Sequence, residues 1–218
     1  MPQRPQGRFA AFFYLILKEL VFATHNEHKA AEIQALLGTE IKVLTLDEVG
    51  FFTDLPEDQE TLEGNAVRKA WFVHEQLNRD CFADDTGLEV RVLGNDPGVF
   101  SARYAELSGE RMPGESVSDA NIRKLLRLME GAENRTARFR TVIALIIEGC
   151  KYVFEGTVEG IILEEQRGEA GFGYDPVFLP EGYRRTFAEM TLPEKNRISH
   201  RARAARKLAE FLKNYKGG

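Results

Sequence analysis

The sequence predicts an α/β fold, with a mixed central sheet, flanking helices in two lobes and a substrate cleft between them. In the first part of the chain, short apolar strand-like runs alternate with amphipathic helical patterns. Farther on, two long runs rich in β-branched and aromatic residues, RTARFRTVIALIIEG and KYVFEGTVEGIIL, follow each other directly. Direct succession favours antiparallel pairing, so the sheet is expected to be mixed rather than purely parallel.

Apolar spacing and stop signals give the elements of the first part. In EHKAAEIQALL, Ala30, Ile33 and Leu37 recur at helical spacing, and Gly38 ends the helix. The patterns predict, in order, a strand at about Glu19 to Ala23, this helix, a strand IKVLTL, an acidic loop from Asp54 to Glu60, a helix from about Leu62 to Leu77, short strands around CFADD and GLEVRVL, the loop GNDPGVFSARYA, and the helix SDANIRKLLRLME.

The second part is predicted to be a hairpin followed by a closing helix. The two long strands are expected to pair through a turn near Glu148 to Lys151, and a final helix runs from about Ser199 to Asn214. The chain has 218 residues and no repeat or low-complexity linker. We therefore expect one domain over residues 19–218.

The first residues require a separate interpretation. MPQRPQGRFAAFFYLILKEL joins arginines to the apolar run FAAFFYLIL, in the manner of a signal peptide. The run is too short to span a bilayer, no small-residue cleavage site follows it, and LVFATHN already reads as the first core strand. We expect residues 1–18 to be an extension outside the core fold.

Composition narrows the classes of function. The formal net charge of −5 argues against a sequence-independent nucleic-acid binder, and no membrane partner is expected. Cys81 and Cys150 lie in strand-like runs without metal-ligand spacing, so both are predicted to be buried free thiols. A reducing cytoplasm fits this usage.

The segment VFATHNEHK is the first candidate site. A strand followed directly by Thr24, Asn26 and Lys29 opens a helix where backbone N–H groups are unpaired, and such helix ends bind anions. A lysine in the first turn is not required by helix capping. The alternative is that Thr24 or Asn26 only caps the helix and Lys29 is solvated.

The segment FADDTGLEV is the second candidate site. Asp84 and Asp85 repel each other unless a cation or a proton lies nearby, and Mg²⁺ binds few carboxylates together with substrate phosphates. Glu57 lies on the preceding acidic loop, and Asn65 and Lys69 share one face of the next helix. The alternatives are an Asp turn for the carboxylates and ordinary surface positions for Asn65 and Lys69.

Two further segments carry unusual residues. EKNRISHRARA places Lys195, His200 and Arg201 near a helix start, where Ser199 is a plausible cap but cations are disfavoured. In GFGYDP, residues 171–176, the glycines free the backbone while two rings and a carboxylate are presented. A flat ring beside a carboxylate suits a nucleobase.

These segments resemble the inosine triphosphate pyrophosphatases, also called XTP/dITP diphosphatases. The resemblance runs from about Leu20 to Leu212 and rests on six motifs in the family's order: THNEHK at 24–29, NAVRKA at 65–70, ADDTGL at 83–88, PGVFSARY at 97–104, GFGYDP at 171–176 and SHR at 199–201. Six ordered motifs are far more specific than any one. The commonest bacterial acidic motif has serine where Thr86 stands, which keeps the hydroxyl.

The resemblance implies Mg²⁺-dependent hydrolysis of ITP, dITP or XTP to the monophosphate and pyrophosphate by a cytosolic homodimer that cleanses the nucleotide pool. Glu57 and Asp85 would hold Mg²⁺, and Asp85 would also accept the proton of the attacking water. Residues 24–29 and Lys69 would bind the triphosphate. The residues expected at the substrate are Thr24, His25, Asn26, Glu27, His28, Lys29, Asn65, Lys69, Thr86, Phe172, Gly173, Tyr174, Asp175, Lys195, His200 and Arg201.

The base-binding residues carry the expected selectivity. Phe172 is expected to stack on the purine, with Tyr174 beneath it, while His200 and Arg201 donate to the C6 oxygen that adenine lacks. Two other functions remain open on the sequence: a Maf-like pyrophosphatase for other modified nucleotides, and a catalytically silent nucleotide-binding sensor. The first would lack the SHR and GFGYD motifs, and the second has no need of both Glu57 and Asp85.

Overall fold

A computed structural model of the protein describes residues 18–216, so the predicted extension lies almost wholly outside the described residues. The described chain alternates strands and helices first and then turns to long paired strands, as its residue patterns predict. The elements are β1 (Lys18–Phe22), α1 (Glu27–Leu37), β2 (Ile41–Leu44), α2 (Leu62–Leu77), β3 (Cys81–Val90), β4 (Pro97–Gly98), α3 (Val117–Leu128), β5 (Thr136–Ile147), β6 (Cys150–Ile162), β7 (Phe178–Pro180), α4 (Leu192–Ile198) and α5 (His200–Asn214).

The strands form one mixed sheet in the order β2-β1-β3-β5-β6-β7, with β4 paired to β3 outside this path. The strands β1, β2 and β3 are parallel, whereas β5, β6, β7 and β4 pair antiparallel. The β5–β6 hairpin turns through Glu148 and Gly149, both with positive φ, at 50° and 71°. The predicted mixed sheet with flanking helices is confirmed.

Three apolar cores pack on the long strands: two lie on opposite faces of the sheet near one end, and the third lies near the other end. Near one end Phe82 and Ile143 pack with α1 and α5, while alternate residues of the same strands pack against α2. Near the other end Leu88 and Phe139 pack with α3. Between the cores the strands carry buried Asp84, Asp85 and Thr141 and half-buried Thr86. The cleft therefore lies between the cores at the two ends of the long strands.

Several boundaries differ from the prediction. The runs CFADD and GLEVRVL form a single strand that ends at Val90, so Asp84 and Asp85 lie inside a strand rather than at a strand end. The second strand stops at Leu44, two residues before the end of IKVLTL. The helices 27–37 and 62–77 have the bounds that their apolar spacing predicts.

The two cysteines have different environments. Cys81 is a buried free thiol, and its Sγ donates to the carbonyl of Ala70 at 3.1 Å. Cys150 is free but exposed, so the prediction that it is buried is wrong. It follows the Glu148–Gly149 turn at the rim of the sheet, where the strand pattern no longer implies burial. Within residues 18–216 no helix has the length and apolar character needed to span a bilayer.

Candidate active site

A cavity of about 290 Å³ opens beside the middle of β3, between the apolar cores at the two ends of the long strands. Its walls come from α1, β3, α3, the loops around 57, 99–102 and 172–175, and the α4–α5 region. The lining residues among those predicted from the sequence are Asn26, Lys29, Glu57, Asp85, Thr86, Phe172, Gly173, Tyr174, Asp175, Lys195, His200 and Arg201. Residues from all of the predicted site segments except NAVRKA thus line one cavity.

The start of α1 forms one end of the cavity. Asn26 caps this helix, because its side chain accepts the backbone N–H of Lys29 at 3.1 Å, and Thr24 accepts the N–H of Asn26 at 3.1 Å. The expectation that Thr24 or Asn26 caps the helix is therefore confirmed for Asn26. Lys29 is not simply solvated, since its Nζ lies 2.8 Å from Asp84 Oδ1. Burial, with Lys69 and Arg201 nearby, lowers the pKa of Lys29 despite the Asp84 carboxylate.

The adjacent carboxylates of β3 are held by different cations. Neighbouring strand residues point to opposite faces, which separates the two side chains. Asp84 binds Lys29 and Arg201, at 2.8 and 3.0 Å, and these cations lower its pKa although burial alone would raise it. Asp85 binds Lys69 at 2.8 Å. The repulsion between the carboxylates is thus relieved by side-chain cations.

Lys69 lies between the two carboxylates expected to hold a metal. Its Nζ is 2.9 Å from Glu57 Oε1 and 2.8 Å from Asp85 Oδ1. Asn65, one turn earlier on α2, donates to Asp85 Oδ2 at 3.3 Å. Both side chains therefore contact the same carboxylate from one helix face, and both are buried, so they are not ordinary surface positions.

The donor set is compatible with a hard cation that also binds phosphate. Glu57 and Asp85 present their oxygens to one point, now contacted by a single ammonium group. Among the described residues, no group of three or more His, Cys, Asp or Glu side chains forms a self-sufficient metal site. A cation at this point would therefore need ligands from substrate or water, as Mg²⁺ commonly does.

The loop GFGYDP forms another part of the cavity wall. Gly171 has φ of 77°, and a Cβ there would lie 2.2 Å from Asp175 Oδ2, so this position requires glycine. Asp175 Oδ2 accepts the backbone N–H of Phe172 at 3.0 Å and the ammonium of Lys195 at 2.7 Å. Tyr174 is buried and donates to the carbonyl of Ser101 at 3.0 Å. The loop therefore holds Phe172 as the half-buried ring at the cavity.

Charged and aromatic groups surround the Phe172 ring. Lys195 Nζ and the Arg201 guanidinium carbon lie 4.9 and 5.4 Å from its centroid. The exposed ring of His28 stacks on Phe172 with centroids 5.7 Å apart. Cation–π contacts of this kind stabilise a ring in a fixed orientation.

The start of α5 carries the predicted SHR motif into the cavity wall. Ser199 caps the helix by accepting the N–H of Ala202 at 3.2 Å, as expected. The helix lies close to the sheet, because a Cβ on Gly156 of β6 would lie 2.2 Å from the His200 carbonyl. Glycine at this position permits the close approach that places His200 and Arg201 at the cavity.

His200 and Arg201 have contrasting environments. The His200 ring stacks on Phe139 at 4.5 Å, and its buried Nδ1 has no hydrogen-bond partner among the described residues. Burial and the Arg201 charge lower the pKa of His200 well below its ordinary value, so the ring is neutral at pH 7. Arg201 is 1% exposed and donates to Asp84, Thr86 and Glu32.

Some predicted residues lie outside the cavity lining. His25 contacts Asp47 at 2.9 Å, and Glu27 is exposed. Four other predicted residues contact lining residues without lining the cavity themselves: Thr24, His28, Asn65 and Lys69. Glu32, a buried carboxylate of α1, is absent from the sequence prediction although it contacts two site cations. The prediction also lacks one wall of the cavity, which comprises Leu88, Val99, Ser101, Ala102, Val117, Ser118, Asn121 and Phe139.

Together these features define an α/β protein whose described strands form one mixed sheet, with a cleft lined by lysines, carboxylates and an aromatic loop. The chain belongs to the Ham1 family, whose model matches residues 20–211. It is 51% identical over 197 residues to the dITP/XTP pyrophosphatase of Porphyromonas gingivalis, covering 90% of this chain and 98% of that one. The enzyme of the same name from Flavobacterium johnsoniae is 47% identical over 194 residues, covering 89% and 97%.

Solved structures agree with this assignment. The Ham1 protein of Coxiella burnetii superposes with a TM-score of 0.79 at 37% identity, covering 91% of this chain and 100% of that one. The Staphylococcus aureus Ham1 protein gives a TM-score of 0.78 at 36% identity, covering 90% and 98%.

Proposed function

We propose that the protein hydrolyses ITP, dITP and XTP to the nucleoside monophosphate and pyrophosphate, and so removes non-canonical purines from the nucleotide pool. One observation carries the proposal: a single cavity brings lysines and converging carboxylates together with a fixed aromatic ring and a histidine nitrogen that has no partner among the described residues. These two groups of side chains match the triphosphate and the base of one nucleotide. The dITP/XTP pyrophosphatases to which the chain is similar support the same activity.

The α1 end binds the triphosphate. A helix N-terminus attracts anions through its unpaired N–H groups and its dipole, and Lys29 stands in the first turn of α1. Lys69 adds a second ammonium beside Asp85. Because a triphosphate carries several negative charges, these two lysines supply a large part of its binding energy and stabilise the leaving pyrophosphate.

Glu57 and Asp85 would hold Mg²⁺, with the remaining ligands supplied by substrate or water. The residues fit this ion, since both carboxylates already converge on a single cationic group, Lys69 Nζ. When bound, Mg²⁺ would neutralise phosphate charge and polarise the phosphoryl oxygens. Lys69 would then share its carboxylates with the ion and could direct N–H donors to the triphosphate.

Asp85 is the general base. Its Oδ1 and Oδ2 face Lys69 and Asn65, which fix the carboxylate in the cavity wall. Burial raises the pKa of Asp85 although Lys69 opposes the shift, and its carboxylate lines the cavity, where it can accept the proton of the attacking water. Water attacks the α-phosphorus, its proton passes to Asp85, and the bond to the bridging oxygen breaks with release of pyrophosphate.

The base lies against Phe172. The ring is held by the Asp175–Phe172 backbone contact and by neighbouring cations. His200 Nδ1 and the remaining Arg201 N–H groups provide hydrogen-bonding capacity at the base edge, and Thr86 and Lys195 lie beside them. A donor facing the C6 oxygen of hypoxanthine or xanthine would face an amino group in adenine.

We further propose that the enzyme acts in the cytoplasm as a homodimer and has neither a nucleic acid nor a membrane as a partner. The net charge of −5 supports the absence of a nucleic-acid partner, because non-specific nucleic-acid binding relies on a basic surface. Analytical ultracentrifugation of the full chain tests the dimer, which would sediment at twice the mass of 24.7 kDa.

Release of pyrophosphate from a nucleotide panel tests the activity. We expect ITP, dITP and XTP to be cleaved with Mg²⁺ and not with EDTA, and ATP and GTP to be cleaved far more slowly. Preference for a different modified nucleotide would favour a Maf-like activity. Tight binding of ITP without any turnover would indicate a silent sensor.

A further inference from the structure

Glu32 is a buried carboxylate on α1 at the base end of the cleft. It is 4% exposed and does not line the cavity. Its Oε1 accepts the Lys195 ammonium at 2.7 Å, and its Oε2 accepts Arg201 Nη1 at 2.5 Å. Each oxygen therefore holds a different cation, and both of these cations line the cavity.

The two cations are themselves fixed on their other sides. Lys195 also binds Asp175, whose carboxylate holds the backbone of Phe172. Arg201 also binds Asp84, which in turn binds Lys29. The result is a chain of alternating charges, with Glu32 at its centre, that runs from the α1 lysine to the loop carrying Phe172.

Counting donors shows what this chain leaves for a ligand. An ammonium has three N–H groups and a guanidinium has five. Lys195 uses two in the described contacts, and Arg201 uses three, on Nε, Nη1 and Nη2. One donor of Lys195 and two of Arg201 remain, and their directions are set by the contacts that Glu32 makes.

We propose that Glu32 is a positioning residue that orients the free donors of Lys195 and Arg201 and thereby sets discrimination between 6-oxo and 6-amino purines. The proposal rests on the proposed nucleotide function. An N–H donor distinguishes a 6-oxo from a 6-amino group only when its direction is fixed. A mobile lysine or arginine side chain would tolerate either purine. Loss of Glu32 would thus weaken selectivity more than it weakens the chemical step.

The test uses two substitutions and one distant control. Glu32→Gln keeps the shape but loses the charge, and Glu32→Asp keeps the charge but shortens the reach to the two cations. Arg135→Met is the control: Arg135 caps the carbonyls of Met129, Ile162 and Leu163, away from the cavity, so its loss should affect stability without affecting base recognition.

Steady-state kinetics with ITP and ATP give the first readout. We expect Glu32→Gln to lower the ratio of kcat/KM for ITP over ATP by about tenfold or more, mainly through KM for ITP, as expected for one lost oriented contact. Glu32→Asp should retain part of the wild-type ratio of kcat/KM for ITP over ATP. Arg135→Met should leave it within about twofold at a comparable loss of melting temperature.

Calorimetric binding of IMP and AMP gives a second readout that needs no turnover. We expect Glu32→Gln to weaken IMP binding and to bring the two affinities together. If folded Glu32→Gln keeps the wild-type ratio of IMP to AMP affinity, Glu32 has only a structural role and the inference fails. Should Glu32→Gln not fold, the same ratio measured in Glu32→Asp decides in the same way. If wild type binds IMP over AMP but hydrolyses no nucleotide, the proposed function fails while the binding data still decide the role of Glu32.

Discussion

Replacing Asp85 with asparagine tests the assigned base without changing the side-chain shape. The variant keeps an oxygen for Lys69, whose second partner Glu57 also remains. It loses the proton-accepting carboxylate and turns an N–H₂ group toward Asn65, which is itself a donor at 3.3 Å. The change therefore removes the chemistry and leaves most of the packing of this 7% exposed residue.

The expected loss can be estimated. A general base contributes about 10²- to 10⁴-fold, or roughly 2.7 to 5.4 kcal/mol of barrier at about 1.36 kcal/mol per tenfold. Weaker cation binding would add to the loss, so kcat should fall at least about a hundredfold. The cost in unfolding free energy should stay at about 1.5–3 kcal/mol, the value for a hydrogen bond to a charged group, because Lys69 keeps its ion pair with Glu57.

Asp84→Asn is the matched control on the same strand. Asp84 is 1% exposed and binds two cations, Lys29 and Arg201, so its loss should cost more stability than the loss of Asp85. It should reduce kcat less, because Asp84 does not line the cavity. Pyrophosphate release under saturating ITP and urea unfolding measure the two quantities. Near-normal kcat in folded Asp85→Asn would remove Asp85 from the mechanism.

Three further outcomes are expected. Deleting residues 1–16 should leave turnover and melting temperature nearly unchanged, and a large loss of stability would show that FAAFFYLIL packs on the fold. Phe172→Ala should raise KM for ITP about tenfold with a smaller change in kcat, since stacking contributes about 1–3 kcal/mol per base; an unchanged KM would contradict stacking. Burial alone would raise the pKa of Glu32, but Arg201 and Lys195 lower it overall below the ordinary value of 4.5. The stability that ionised Glu32 contributes is therefore present above pH 4.5 and is lost as the pH falls through the pKa that Glu32 has in the folded protein. The stability gap between wild type and Glu32→Gln should therefore narrow on acidification, and a gap that widens would contradict the ion pairs.

Much of the fold was predictable because local signals agreed with tertiary packing. The helices 27–37 and 62–77 combine apolar spacing with capping residues, Asn26 and Thr61, and their bounds match the prediction. The short helix 192–198 was missed although TLPE is a capping sequence, because seven residues carry too little periodicity. The exposure of Cys150 was not predicted because strand patterning does not show where a sheet ends.

The site was predictable where residues occur in compact motifs and not where the fold assembles it from distant single residues. Asn65, Lys69 and Asp85 lie in recognisable segments, and the structure brings them together. Glu32 lies in a helix whose pattern gives no reason to bury a carboxylate, and its partners are more than 160 residues away. Such long-range ion pairs leave no local signal in a single sequence.

Isotope labelling tests the central claim most directly. Hydrolysis of ITP in ¹⁸O-labelled water, followed by mass spectrometry of the products, identifies the phosphorus that water attacks. The proposed attack at the α-phosphorus places the label in IMP and leaves pyrophosphate unlabelled. Label in pyrophosphate, or release of orthophosphate with IDP by the purified enzyme, would contradict the assigned reaction.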